Sequence, residues 1–387
     1  MPTKLSQPET TKPAEPKTQR TIDLRSDTVT QPTAEMLDAM YAARLGDDSR
    51  DGDPTVGKLE ALAIARTGKE AAMFVPSGTM GNLVALMAHT GRGGEVLLEE
   101  SSHILKSEMG AIAQVAGLFH RTIRGERGAM DLGTLAEAIS AHMKPNKLAT
   151  ALIEMETTHN GAGGTVLPLD HMAEVYALGR QHGIPVHTDG ARLFNAAVAL
   201  GVPAERIARY TDSVTFRVSK GLSAPVGSLL CGTREFITRA RGFRRMLGGN
   251  LRQAGMLAAA GIVALDSMVE RLADDHRTAK QLAEGLHSVA PTLVDPKSIA
   301  TNIVRVDTTV SDWPAEKWSA ALQSCNVRVS PNGPMQLRFV THRHISPADI
   351  EATLQAFRDL WREAPRQQNA RPARLSPTHQ SHAGTKH

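Results

Sequence analysis

From residue 21 to about residue 361, short apolar runs alternate with longer stretches of helical periodicity. The runs at 72–75, 95–98, 151–155, 185–188, 213–218 and 228–231 are short and rich in β-branched or bulky apolar residues, so they read as buried strands. Stretches 79–89, 170–182 and 234–247 place their apolar residues on one helical face and predict helices. Strands without polar alternation, separated by helices, imply an α/β fold with a mostly parallel sheet covered on both faces. After Gly249 a long helical stretch leads to strand-like runs at 301–306 and 335–340 and a closing helix at 347–361. That change of pattern predicts a smaller C-terminal α/β domain. The expected division is a large domain over 21–265 and a small one over 266–361, with disordered tails at 1–20 and 362–387. No internal repeat is visible.

Composition narrows the class. Of 387 residues, 41% are hydrophobic and 22% charged, which is ordinary for a globular protein. No run approaches the roughly 18 apolar residues of a spanning helix, and the stretch at 257–265 is broken by Gly261. The amino end is polar and Pro-rich, unlike a signal peptide. Cys231 and Cys325 cannot make a disulfide framework, so a reducing cytoplasm is expected. The net charge of +4 resides in the tails, whose basic residues outnumber acidic ones by six, leaving residues 21–361 slightly acidic at −2. With no recognition motif beside them, such tails predict solvated ends rather than a nucleic-acid surface.

Three motifs carry chemistry. Pro76-Ser77-Gly78-Thr79-Met80-Gly81-Asn82 follows a predicted strand and opens a predicted helix. Small residues let a ligand approach the backbone, and unpaired N–H groups at a helix start attract an anion such as phosphate. His187-Thr188-Asp189-Gly190-Ala191-Arg192 puts Asp189 at the carboxyl end of a strand, where open α/β sheets place ligands. A buried carboxylate there needs a cationic partner, which would be Arg192 or a protonated pyridine nitrogen. A metal held by His187 and Asp189 is a third reading. Ser219-Lys220-Gly221-Leu222 ends another strand with a lysine that burial would make a usable amine. A phosphate cradle, a carboxylate for a pyridinium and a Schiff-base lysine are together what pyridoxal 5′-phosphate requires.

In this order the motifs resemble the L-threonine aldolases, of the low-specificity type, among the aspartate-aminotransferase-like (fold type I) pyridoxal-phosphate enzymes. The likeness spans nearly all of residues 21–361. It starts at Ile22-Asp23-Leu24-Arg25-Ser26-Asp27-Thr28 and Gly52-Asp53-Pro54-Thr55. It then takes in Ser102-His103-Ile104, Glu156 with Thr158-His159-Asn160, Ala224-Pro225-Val226-Gly227, Leu251-Arg252-Gln253 and Arg338-Phe339-Val340-Thr341-His342. The resemblance implies a homo-oligomeric carbon–carbon lyase, a dimer of dimers, that cleaves β-hydroxy-α-amino acids into glycine and an aldehyde. It assigns Lys220 as the Schiff-base lysine and Asp189 as the partner of the ring nitrogen. His103 would stack on the ring near the substrate hydroxyl. Ser77, Gly78 and Thr79 would bind phosphate, helped by Arg252 of a neighbouring subunit. Ser26, Arg192 and Arg338 would hold the substrate carboxylate, for which the guanidinium fork is suited.

The chain departs from that pattern twice. Where many members carry a tyrosine that reaches the adjacent subunit's site, this chain reads Asp47-Asp48-Ser49-Arg50-Asp51, so Arg50 becomes a candidate for substrate choice. An additional family histidine has no clear counterpart, Asn146 or Lys147 standing near its place and His142 close by. His103 or an ordered water is then the expected base for the hydroxyl. Two alternatives within the fold are a β-eliminating lyase and an aminotransferase. A non-catalytic partner-binding protein is the alternative from another class.

Overall fold

The computed structural model describes residues 20–365. Its main sheet has seven strands: β1 (Ala71–Val75), β2 (Glu95–Glu99), β3 (Phe119–Ile123), β4 (Thr150–Glu156), β5 (Val186–Gly190), β6 (Ser213–Arg217) and β7 (Ser228–Gly232). In space they run β1-β7-β6-β5-β4-β2-β3. Only β7 is antiparallel to its neighbours, β1 and β6, while the other pairings are parallel. Every residue of β2, β5 and β7 is buried, as expected of strands covered on both faces. The pattern missed β3. It is an edge strand whose first four residues are exposed, so nothing in its sequence needed to be apolar.

Helices Gly78–His89, Leu169–His182 and Arg234–Met246 form within one residue of their expected bounds. Local chemistry explains their ends. Ser77 and Thr233 accept N–H groups of the first turns of the first and third, and Gly183 closes the second in the left-handed region.

The carboxyl-terminal part contains an antiparallel sheet of β8 (Ile303–Asp307), β9 (Ser330–Pro331) and β10 (Gln336–Val340), in the order β8-β10-β9. Helices Leu272–Val289, Ala315–Ser324 and Pro347–Glu363 pack with it, and the Trp318 ring stacks on Phe357 with centroids 4.8 Å apart. Two features depart from the expected division. Ile22 and Leu24 join this second core, because Ile22–Asp23 pairs in parallel with Val327–Arg328 and Leu24 accepts the Val340 N–H. Leu272 packs in the large core while Leu282 and Leu286 of the same helix pack in the small one. One helix thus joins the two units. The expected disordered tails lie outside the described residues except at their inner edges, where the closing helix reaches Glu363 and Arg20 binds Asp349 at 2.7 Å.

Candidate active site

Strand direction gathers the motifs at one edge. Parallel β4, β5 and β6 all end there, at Glu156, Gly190 and Arg217. Ser228 of β7 pairs with both Val75 and Arg217, so β1 ends at the same edge and delivers Ser77–Thr79 to it. Ser101, Ser102 and His103 come just past the end of β2, which is also parallel. This is the carboxyl edge, where α/β sheets place ligands.

Lys220 sits in the turn after β6. Thr30 Oγ1 and the Ser223 N–H donate to its carbonyl at 2.9 and 2.8 Å, fixing the backbone of that turn. Its amine is buried, and burial together with the charges of Arg192 and Arg217 pushes its pKa well below the usual lysine range. Burial thus shifts the balance toward the uncharged, nucleophilic amine.

Asp189 is fully buried. Asn82 Nδ2 donates to its Oδ2 at 2.8 Å and the Ala191 N–H to its Oδ1 at 2.9 Å. Asn82 is oriented in turn, its Oδ1 accepting from Thr215 Oγ1 at 2.6 Å and facing His187 Nε2 at 3.4 Å. Burial would raise the pKa of Asp189, yet Arg217, His103, Lys220 and the Asn82 bond overcome it and keep the carboxylate ionised. Neighbouring Glu108 goes the other way, raised by burial and by the Asp189 charge. Asn82 bridges the two acids, donating to Glu108 Oε1 at 3.0 Å. His187 contacts Ser213 Oγ through Nδ1 at 2.8 Å, and burial lowers its pKa to about 4. Both of its ring nitrogens are thus engaged inside the protein, which leaves none for a metal shared with Asp189.

The partner of Arg192 is Asp27, not Asp189. The guanidinium binds it through Nε to Oδ2 at 2.7 Å and Nη2 to Oδ1 at 2.8 Å. Asp27 lies in the short turn Asp27–Val29 capped by Ser26, whose Oγ accepts the Thr28 N–H at 3.2 Å. Sequence order could not reveal this pair, because 165 residues separate its members. Arg338 arrives from β10 of the small unit, with Nη2 donating to Asn160 Oδ1 at 3.1 Å and a buried Nε that has no acceptor among the described residues. Burial and the nearby charge of Arg192 lower its pKa to about 10. Two arginines beside a site, one with an orphaned donor, suit an incoming carboxylate.

His103 donates its backbone N–H to Glu156 Oε2 at 2.7 Å. Its ring Nδ1 stands 3.2 Å from Glu108 Oε1 and 3.8 Å from Asp189 Oδ2. At the helix start, Ser77 and Thr79 are exposed and Gly78 is buried. A Cβ on Gly78 would lie 1.7 Å from Arg217 Nε, so the Arg217 side chain rests in the space that glycine leaves open.

Two predicted residues lie elsewhere in this chain. The Arg252 side chain is 62% exposed and binds Ser49 Oγ. The Arg50 side chain is 79% exposed, with Nε 3.7 Å from Asp47 Oδ2. Asn146, Lys147 and His142 precede β4 at its amino end, opposite the site.

Sequence reasoning missed Asp27, Glu108 and Arg217 as members of this cluster. Arg217 had a signal: Ser213, Thr215 and Arg217 alternate along one strand, so one face of an otherwise apolar run is polar.

The residues fit pyridoxal phosphate. A buried amine, an ionised carboxylate, a helix start with no Cβ in the way and orphaned arginine donors match its aldehyde, ring nitrogen, phosphate and the substrate's carboxylate. A family model described as beta-eliminating lyase matches residues 23–309. The chain is 44% identical over 352 residues to a probable low-specificity L-threonine aldolase 2 of Arabidopsis thaliana, covering 89% of this chain and 99% of that one. It is 41% identical over 343 residues to a low specificity L-threonine aldolase of Escherichia coli K12, covering 87% and 99%. A solved threonine aldolase structure from Leishmania major has the same fold, with a TM-score of 0.74 at 18% identity, covering 88% of this chain and 99% of that one. Likeness sustained over nearly the whole of these relatives, and not one motif alone, shows that the chain belongs to the low-specificity L-threonine aldolases of the beta-eliminating lyase family.

Proposed function

We propose that the cluster around Lys220 cleaves threonine and related β-hydroxy-α-amino acids into glycine and an aldehyde, and that Lys220, Asp189, His103, Arg192 and Arg338 carry the reaction. The observation that carries this reading is the buried Lys220 amine, with its lowered pKa, close to the ionised Asp189. Pyridoxal phosphate, bound at Lys220, supplies the electron sink that accepts the pair released when the Cα–Cβ bond breaks.

The chain's own groups do the rest. Asp189 holds a proton at the ring nitrogen, and Asn82 and the Ala191 N–H hold Asp189. Arg192, preset by Asp27, and Arg338, through its free Nε–H, grip the substrate carboxylate beside Ser26. Fixing that carboxylate turns the Cα–Cβ bond toward the orientation that cleavage needs. His103, its ring Nδ1 3.2 Å from Glu108 Oε1, takes the β-hydroxyl proton. The buried Lys220 amine would hold the cofactor through its aldehyde.

The assembly is a homo-oligomer, a dimer of dimers, in which Arg252 serves the phosphate site of a neighbour. Support comes from the face around it, where Tyr41, Leu37, Leu45 and Met256 are exposed apolar residues. The location is cytoplasmic. Cys231 is buried and Cys325 exposed, both free, as suits a reducing compartment. Among the described residues no helix is long and apolar enough to cross a membrane.

Products decide between this activity and its competitors. Across a panel of β-hydroxy amino acids, glycine and aldehyde are expected in equal amounts. Ammonia with a keto acid would indicate elimination, and an exchanged amino group would indicate transamination.

A further inference from the structure

We propose that Arg217 is a same-subunit ligand for the cofactor's phosphate, parked against Asp189 and Glu108 when the phosphate is absent. The inference rests on the reading that this site takes pyridoxal phosphate, and it adds a residue which that reading did not assign.

Position comes first. Arg217 ends β6, three residues before Lys220, on the same strand face as Ser213 and Thr215, whose hydroxyls meet His187 and Asn82. Its side chain therefore reaches over the carboxyl edge. There it lies directly against Gly78, its Nε in the space a Cβ would take.

Electrostatics come second. The helix Gly78–His89 has 12 residues, and Ser77 Oγ satisfies only the Met80 N–H of its first turn. The Gly78 and Thr79 N–H groups have no acceptor among the described residues. A guanidinium laid against the positive end of a helix is a like-sign contact, relieved when an anion joins both.

Third, Arg217 is held loosely. Its Nη2 stands 3.5 Å from Glu108 Oε1 and 3.9 Å from Asp189 Oδ2, and its buried Nε has no acceptor among the described residues. Charge-assisted bonds are normally near 2.7–2.9 Å. Arg192, at 2.7 and 2.8 Å from Asp27, shows what a committed pair looks like in this protein. Arg217 is thus a partly buried cation, its side chain 12% exposed, with donors to spare, between a carboxylate suited to the ring nitrogen and a helix start suited to the phosphate. Turning it to the phosphate would leave Asp189 Oδ2 to the ring and give the phosphate a same-subunit cation beside the neighbour's Arg252.

The test uses full-length protein freed of cofactor, titrated with pyridoxal phosphate and separately with pyridoxal, which lacks the phosphate. Arg217→Met is expected to weaken pyridoxal phosphate roughly ten- to a hundredfold while changing pyridoxal affinity less than about twofold. Arg217→Lys should recover part of the loss and guards against a folding defect in the methionine variant. Inorganic phosphate should compete with the cofactor in wild type and less well in Arg217→Met. Equal weakening of both ligands would show that Arg217 acts only on Asp189 and the ring, overturning the proposal. Unchanged affinity for pyridoxal phosphate would overturn it while leaving the functional reading intact. Wild-type protein that takes up no pyridoxal phosphate at Lys220 would instead sink the functional reading, and this inference with it.

Discussion

Asp27 grips Arg192 through both carboxylate oxygens, at 2.7 and 2.8 Å, in full burial. Asn302 Nδ2 adds a third contact to Asp27 at 3.2 Å. Burial would raise the Asp27 pKa, but Arg192, Lys220 and Asn302 more than reverse this and hold it far below the usual carboxylate range. A carboxylate with a lowered folded pKa stabilises the protein above its unfolded pKa, and that contribution is lost only as pH falls through the folded value. The pair should survive mild acid.

Asp27 is thus a positioning residue for Arg192. Asp27→Asn should raise KM for threonine roughly tenfold with kcat changed less than about threefold, because the amide keeps the shape and loses the charge. Asp27→Ala leaves the buried guanidinium unpaired and should cost about 3–5 kcal/mol in stability. Equal losses in kcat and kcat/KM for the asparagine variant would argue that Arg192 acts on the chemical step instead.

A shared site has a direct genetic test. Lys220→Ala should be inactive and should not retain cofactor after borohydride reduction, and Arg252→Ala should be weak in cofactor binding. Mixed oligomers of the two variants should regain activity, because a symmetric interface rebuilds sites from one intact half of each chain. No recovery in verified hybrids would count against a phosphate ligand donated across subunits.

Arg50 travels with Arg252. The Asp48 N–H donates to the Arg252 carbonyl at 3.1 Å and Ser49 Oγ meets the Arg252 guanidinium, so the two segments are tied together. If Arg252 enters a neighbour's site, Arg50 stands beside it. Arg50→Tyr should then raise kcat/KM for threonine relative to 3-hydroxyaspartate by roughly tenfold, about 1.4 kcal/mol. The ratio would not move if Arg50 faced solvent in the assembly.

Glu154 lies fully buried on β4, with no partner for either oxygen among the described residues. Burial, then the charges of Glu156, Asp189 and Glu108, raise its pKa well above the ordinary value and favour the protonated form. With the folded pKa above the unfolded one, its contribution is complete below about pH 4.5 and is lost as pH rises through the folded value. Glu154→Gln mimics the protonated acid, so its melting temperature relative to wild type should improve from pH 5 to pH 8. A difference independent of pH would show that Glu154 is ionised in the folded protein.

Six of the seven main strands, three of the helices that flank them, and β8, β10 and the closing helix of the carboxyl-terminal part were legible because burial on both faces demands unbroken apolar runs, and helices demand a one-sided spacing. Lys220, Asp189 and the Ser77–Thr79 turn were legible for a related reason: each comes directly after such a run, so each had to emerge at a strand end. Features that arise from the pairing of distant segments were not legible. Edge strand β3 needed no apolar pattern, and Ile22 and Leu24 found their core only when the edge at Val327–Arg328 existed to receive them. Asp27 and Arg192, and the placement of Arg217 between Gly78 and Asp189, depend on which strand ends become neighbours. The sequence determined which groups reach the carboxyl edge, because that is local. Only the tertiary structure decided which of them meet, because strand order, not chain order, sets the distances between charges.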